Sequence, residues 1–116
     1  MVVDQLTDDE IDRIFGALAD ATRRDILVAT GDAGLSVSAL ADRYPMSFAA
    51  VQKHVAVLER AGLVTKAQRG RERLVRTDLA ALARARALLD AIEAQWRARM
   101  ERIDDLLADE RSNEGE

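Results

Sequence analysis

The sequence predicts a mostly helical domain carrying one two-stranded β-hairpin, and three observations support that reading. Alanine and leucine abound, whereas only four residues are aromatic (Phe15, Tyr44, Phe48, Trp96) and one is proline, Pro45. That balance suits helices rather than a sandwich or barrel. Apolar residues recur at helical spacing in blocks bounded by cap residues and glycines, except around Gly70, where two short β-prone runs replace the helical period.

Taken in order, Thr7-Asp8-Asp9-Glu10 is a capping box, and Ile11, Ile14, Phe15 and Leu18 form one apolar face behind it. A first helix is expected over 8–19. Asp20 stands at the next N-cap position, Thr22 to Thr30 continues as a helix with Ile26 and Leu27 inward, and Gly31 and Gly34 end it. Ser36 opens a short helix with Val37, Leu40 and Ala41 facing in, stopped by Tyr44-Pro45 because the residue before proline is driven out of the helical region. Ser47 caps the next helix, 47–61, whose Val51, Val55 and Leu58 form a stripe and whose C′ residue is Gly62. Two short helices across so tight a turn have helix-turn-helix spacing.

The runs 63–67 and 73–77 flank Gln68-Arg69-Gly70-Arg71-Glu72, a hairpin turning at Gly70. The stretch 66–76 contains Lys66, Arg69, Arg71, Arg73 and Arg76. A helix-turn-helix followed by a basic hairpin is a winged helix. One long helix is then expected over 78–108, about 45 Å at ~1.5 Å per residue. Leu82, Leu89, Trp96 and Ile103 fall seven apart along it, with Ile92 and Leu106 three beyond two of them, a coiled-coil-like seam interrupted at Ala85 and Arg99. The polar residues 109–116 are expected to fray.

The 116 residues are read as a single winged-helix domain: 8–19 and 78–108 as outer helices, 20–77 as the central unit. At 48% hydrophobic and 33% charged the chain is neither disordered nor membrane-embedded. Met1-Val2-Val3-Asp4 has no basic region leading into an apolar run, so no secretory leader is expected and the cytoplasm is the default location. Zero cysteines exclude disulfides and thiolate chemistry. With no nucleophile–base set, phosphate loop or HExxH, an enzyme is not expected. No cofactor and no metal site are expected, since one histidine cannot supply the roughly four ligands of zinc.

Charge is unevenly distributed. Residues 1–19 hold one Arg against five acids, 20–77 ten Lys/Arg against six acids, and 78–116 six Arg against ten acids, for nets of −4, +4 and −4. A basic centre between acidic ends suits a polyanion partner.

The sequence also resembles a known family. Leu18-Ala19-Asp20-Ala21-Thr22-Arg23-Arg24-Asp25-Ile26-Leu27 is similar to the ArsR/SmtB motif L-A-D-P-T-R-R-x-I-L. Residues 46–55 and Leu58-Glu59-Arg60-Ala61-Gly62-Leu63-Val64 resemble that family's recognition helix, and Gly70-Arg71 to Asp78 its wing. The likeness covers residues 11–78 with its motifs in order. It implies a homodimeric regulator that binds double-stranded DNA, usually a repressor released by an effector, here an unidentified small molecule. Ala21 replaces the motif's Pro and Gln52 a common Ser, and the cysteines of the metal-sensing members, in the segment matching Val37–Ala41, are missing. The chain looks like the cysteine-less branch.

Ser47, Phe48, Ala49, Gln52 and Lys53 begin the recognition helix, where base edges are reached; the competing reading is a solvated face. His54 is either a phosphate contact, as the resemblance implies, or a partly buried histidine. Arg69, Arg71 and Arg73 flank the hairpin tip, suited to phosphates or a minor groove. Of the adjacent Arg23 and Arg24, which point about 100° apart on a helix, one is expected to touch the DNA backbone or a wing carboxylate and the other to be structural; Arg23 is taken as the DNA contact. Ile11, Phe15, Leu82, Leu89, Ile92, Trp96 and Ile103 are taken as a self-association layer rather than monomer core. The alternative function is a winged helix that docks an acidic protein.

Overall fold

The computed structural model describes residues 6–114; the reading of Met1–Asp4 and the last two residues of the tail lie outside them. The chain divides into two units after Ala85.

The first unit is built by its caps. Helix α1, Asp8–Leu18, starts with the reciprocal box: Thr7 Oγ1 accepts from the Glu10 amide at 3.1 Å, and Glu10 Oε1 accepts from the Thr7 amide at 3.3 Å. In α2, Ala21–Thr30, the Asp20 carboxylate caps the Arg23 amide. Ser36 and Ser47 cap α3, Val37–Ala41, and α4, Phe48–Arg60, each accepting an amide at 3.1 Å. The end of α4 is a full Schellman motif: the Leu63 amide donates to Leu58 O and the Gly62 amide to Glu59 O, with Gly62 at φ 75°. These positions match the expected caps.

The sheet differs from expectation in two ways. It has three antiparallel strands in the order β1-β3-β2: β1 is Leu35–Ser36, β2 Val64–Arg69 and β3 Glu72–Thr77. The two-residue β1, opposite Val75 and Leu74, is too short to show an alternation. Pairing also runs outward to Arg69 opposite Glu72, so the expected five-residue loop shrinks to a two-residue turn, Gly70-Arg71. Beside β1, Gly34 is required: at φ 84°, an added Cβ would lie 2.9 Å from Arg76 Cγ and 3.0 Å from Val75 O.

The core joins Ile26, Leu40, Val51, Val55, Leu58, Leu63, Val64 and Val75, all fully buried. Its two buried hydroxyls are paired: Thr30 Oγ1 and Thr77 Oγ1 are 2.7 Å apart, one donating to the other, and the acceptor of the two gives its own hydrogen to an α2 carbonyl, Ile26 O or Leu27 O. The Thr77 and Asp78 amides donate to Gly31 O and Leu63 O, which ties the end of β3 to the ends of α2 and α4. The Asp78 carboxylate then accepts from the Ala80 and Ala81 amides and opens α5, Leu79–Glu114, whose Ala81 and Ala85 are buried in this unit.

The second unit is the remainder of α5. The sequence places the end of this helix near 108, but it continues to Glu114, since nothing in 109–114 is a glycine or proline. Arg86–Asp90 and Arg97–Glu93 pairs lie along it, and Arg99 sits 5.1 Å over the Trp96 ring. Leu89, Ile92, Trp96, Met100, Ile103 and Leu107 are about half exposed or more. Their spacing of 3, 4, 4, 3 and 4 is the eleven-residue pattern of a nearly straight face, not a strict heptad. Met100 and Leu107 therefore complete the face that the seven-residue count interrupts at Arg99.

Candidate nucleic-acid interface

Helix α4 is fixed from behind by Val51, Val55 and Leu58, each at most 1% exposed. Ser47, Phe48, Ala49, Gln52 and Lys53 are all exposed at its N-terminal end. The polar side chains are thus presented on a backbone that cannot rotate without breaking the core.

His54, on the next flank, is half-buried. Its Nδ1 lies 3.4 Å from Arg23 Nη1 and 3.8 Å from Asp20 Oδ2. A guanidinium only donates, so in the contact with Arg23 Nδ1 is the acceptor and Nε2 carries the hydrogen. The Asp20 carboxyl is held below its ordinary value of 3.8, chiefly by the Arg23 amide that it caps, against an opposing effect of burial and with help from the Arg23 guanidinium. Asp20, Arg23 and His54 therefore form one cluster joining the α1–α2 turn to α4.

Arg23 and Arg24 both find partners on α1, where the sequence leads one to expect a structural role for only one of them. Arg23 donates from Nε to Ala17 O at 2.8 Å and from Nη2 to Gly16 O at 3.0 Å, while Arg24 Nη1 donates to Leu18 O at 2.8 Å. Both close the C-terminal carbonyls of α1, where cations also suit the helix dipole. The available signal was the pair of arginines five and six residues after a helix end that carries no basic residue of its own.

On the other side of α4, Arg69, Arg71 and Arg73 are exposed around the hairpin turn, which Gln68 Nε2 braces by donating to Gly70 O at 2.9 Å. Lys66, at the base, is turned inward to Glu59 Oε1 at 3.5 Å. The turn before α4 is anchored by Tyr44, whose hydroxyl donates to Asp25 Oδ2 at 2.6 Å. Burial and then Asp25 push the Tyr44 hydroxyl up to about 12.

The residues assigned to self-association fall in two groups. Phe15 and Leu82 are packed in part against the core of their own unit, and Ile11 is also half-buried. Leu89, Ile92, Trp96 and Ile103 are exposed in the second unit. Among the described residues no three His, Asp or Glu side chains gather as a metal site would require, and no helix is long and apolar enough to cross a membrane.

A buried-backed helix beside a basic hairpin defines a class, the DNA-binding winged helix-turn-helix of transcription regulators. Comparison with known proteins narrows it. A helix-turn-helix domain model matches residues 18–67. The HTH-type transcriptional regulator Rv2034 of Mycobacterium tuberculosis is 40% identical over 79 residues, covering 68% of this chain and 74% of that protein. An ArsR-like transcriptional regulator from Rhodococcus sp. RHA1 superposes with a TM-score of 0.77 at 38% identity, over 84% of this chain and 92% of that one. A further ArsR family transcriptional regulator matches with a TM-score of 0.71 at 28% identity, over 79% and 95%. The chain belongs to the ArsR family of winged helix-turn-helix transcription regulators.

Proposed function

We propose that this regulator acts as a homodimeric repressor of the cytoplasm, placing two copies of α4 in successive major grooves about 34 Å apart on a near-palindromic operator. The observation that carries this is the exposed N-terminal end of α4, rigidly backed by the core and flanked by the arginine-rich hairpin turn. In this reading Gln52 pairs with adenine, Lys53 meets guanine or a phosphate, and Ala49 leaves room for a thymine methyl beside Ser47 and Phe48. His54 offers its Nε2 hydrogen to a phosphate. Arg69, Arg71 and Arg73 contact the backbone without reading sequence. Arg23, with two of its donor groups on α1 carbonyls, serves the interface by holding His54 and the α1–α2 turn.

Pairing runs through α1 and α5, chiefly Leu89, Ile92, Trp96 and Ile103, with Ile11, Phe15 and Leu82 contributing what their own core leaves exposed. Occupancy of the operator blocks polymerase. Release does not run through thiols, of which the chain has none, nor through a transition metal.

The test is binding to short duplexes across a salt series. DNA binding gives a straight log–log plot falling at about 0.9 per phosphate neutralised. A flat plot, with capture of an acidic protein instead, would favour the docking alternative. Selection from random duplexes then supplies the operator.

A further inference from the structure

Between α1 and α4 lies an open cleft of about 280 Å³, lined by Gly16, Ala17 and Val57 with Arg13 and Arg60. On α1, Arg13 and Gly16 lie on the side of the helix opposite Ile11 and Phe15, so the cleft is separate from the face of α1 assigned to pairing. Among the described residues neither arginine is in an ion pair, and the three other lining residues are apolar. Two unpaired guanidiniums beside a hydrocarbon surface are complementary to a carboxylate carrying a compact apolar body.

Gly16 strengthens this reading. It sits inside a helix, where glycine is unfavourable, yet it has no left-handed backbone, and an added Cβ would meet nothing within 4 Å. The space over Gly16 opens into the cleft. Pockets for drug-sized ligands start at roughly 300 Å³, so this one suits something smaller. A DNA phosphate is the weaker fit. Arg60 ends α4, about 18 Å along the helix from Phe48 at ~1.5 Å per residue, and a phosphate makes no use of an apolar floor.

We propose that this cleft binds a small apolar monocarboxylate, clamped by Arg13 and Arg60 with its hydrocarbon on Gly16, Ala17 and Val57. Since α4 forms one wall, occupancy changes how α4 is presented to DNA; that regulatory step rests on the DNA-reading assignment of α4, whereas binding itself does not.

Calorimetry of the DNA-free full chain with sodium phenylacetate, against neutral phenylacetamide, tests the site. Saturable phenylacetate binding is expected, at least tenfold tighter than the amide. It should weaken at least tenfold in Arg60→Gln, a change at an exposed position. It should vanish in Gly16→Leu, whose side chain fills the cleft. No saturation by ~10 mM, equal binding of acid and amide, or indifference to both substitutions overturns the proposal. So does a flatter salt slope on random DNA for Arg13→Gln and Arg60→Gln without phenylacetate binding, which makes the pair phosphate contacts. Operator titration with saturating phenylacetate tests the regulatory step, for which a threefold or larger shift in Kd is expected. An unchanged Kd overturns that step, and calorimetric binding by a chain that ignores all DNA overturns the reading of α4 instead.

Discussion

Gln52 and Arg71 are both exposed polar side chains, yet their supports differ. Gln52 rides on a helix pinned by Val51, Val55 and Leu58, whereas Arg71 occupies a two-residue turn. A pinned side chain can discriminate bases; one on a turn suits a featureless phosphate. Gln52→Ala should therefore cost about 1–3 kcal/mol on the operator and leave random-DNA affinity nearly unchanged. Arg71→Ala should weaken both DNAs and flatten the salt slope by about one unit for each phosphate left without its arginine, about two per dimer. Titrating both variants on both DNAs decides it, and equal weakening by Gln52→Ala would remove α4 as the reader. Asp20 offers a separate, pH-resolved test. Its carboxyl is held below the ordinary 3.8, so it takes up a proton less readily in the folded chain than in the unfolded one. Its contribution is present above that ordinary value and is lost as pH falls through the lower folded one. Asn can still cap α2 but carries no charge, so Asp20→Asn should lose less thermal stability than the parent between pH 4 and pH 2. An acid profile that superposes on the parent's would contradict this role.

At the scale of elements, the face of α5 carries the assembly argument. Leu89 is half exposed in the protomer, so a charge there leaves the fold alone but is buried without a partner when two faces meet. That penalty is several kcal/mol, or more than about a hundredfold in association at 1.4 kcal/mol per factor of ten. Leu89→Glu should sediment as a folded monomer with the parent's helical circular dichroism; a stable dimer would remove α5 from the interface. Elements were legible in the sequence where their signals are local. Thr7, Asp20, Ser36 and Ser47 each cap within three residues, and Gly62 supplies the left-handed backbone that ends α4. Signals that depend on tertiary partners were not legible. Strand β1 exists because β3 offers it an edge, and the hairpin loop shrinks because Arg69 and Glu72 complete a register begun at Val64 and Thr77. The hold of α1 on Arg23 was not legible because the carbonyls that engage it, Gly16 and Ala17, belong to another helix.

For the whole molecule, the inventory of donors predicts what it ignores. The chain has no thiol and one histidine, which contacts Arg23 and Asp20, and among the described residues no three histidines or carboxylates gather; on the reading proposed above, DNA binding is indifferent to transition metals. Operator affinity should change less than about twofold when micromolar zinc, arsenite or a chelator is added, at a ratio worth under about 0.4 kcal/mol. Zinc that releases the operator, and a chelator that restores it, would show that the inventory misses a site.

The division after Ala85 also sets an order of events during synthesis. Everything that closes the winged unit, from the Thr30–Thr77 hydroxyl pair to Ala81 and Ala85, is encoded before the half-exposed apolar face begins at Leu89. Chains fold from their N-terminal side as they emerge. On the pairing proposed above, a nascent chain can thus form α4 before its chief pairing face, from Leu89 to Leu107, has been made.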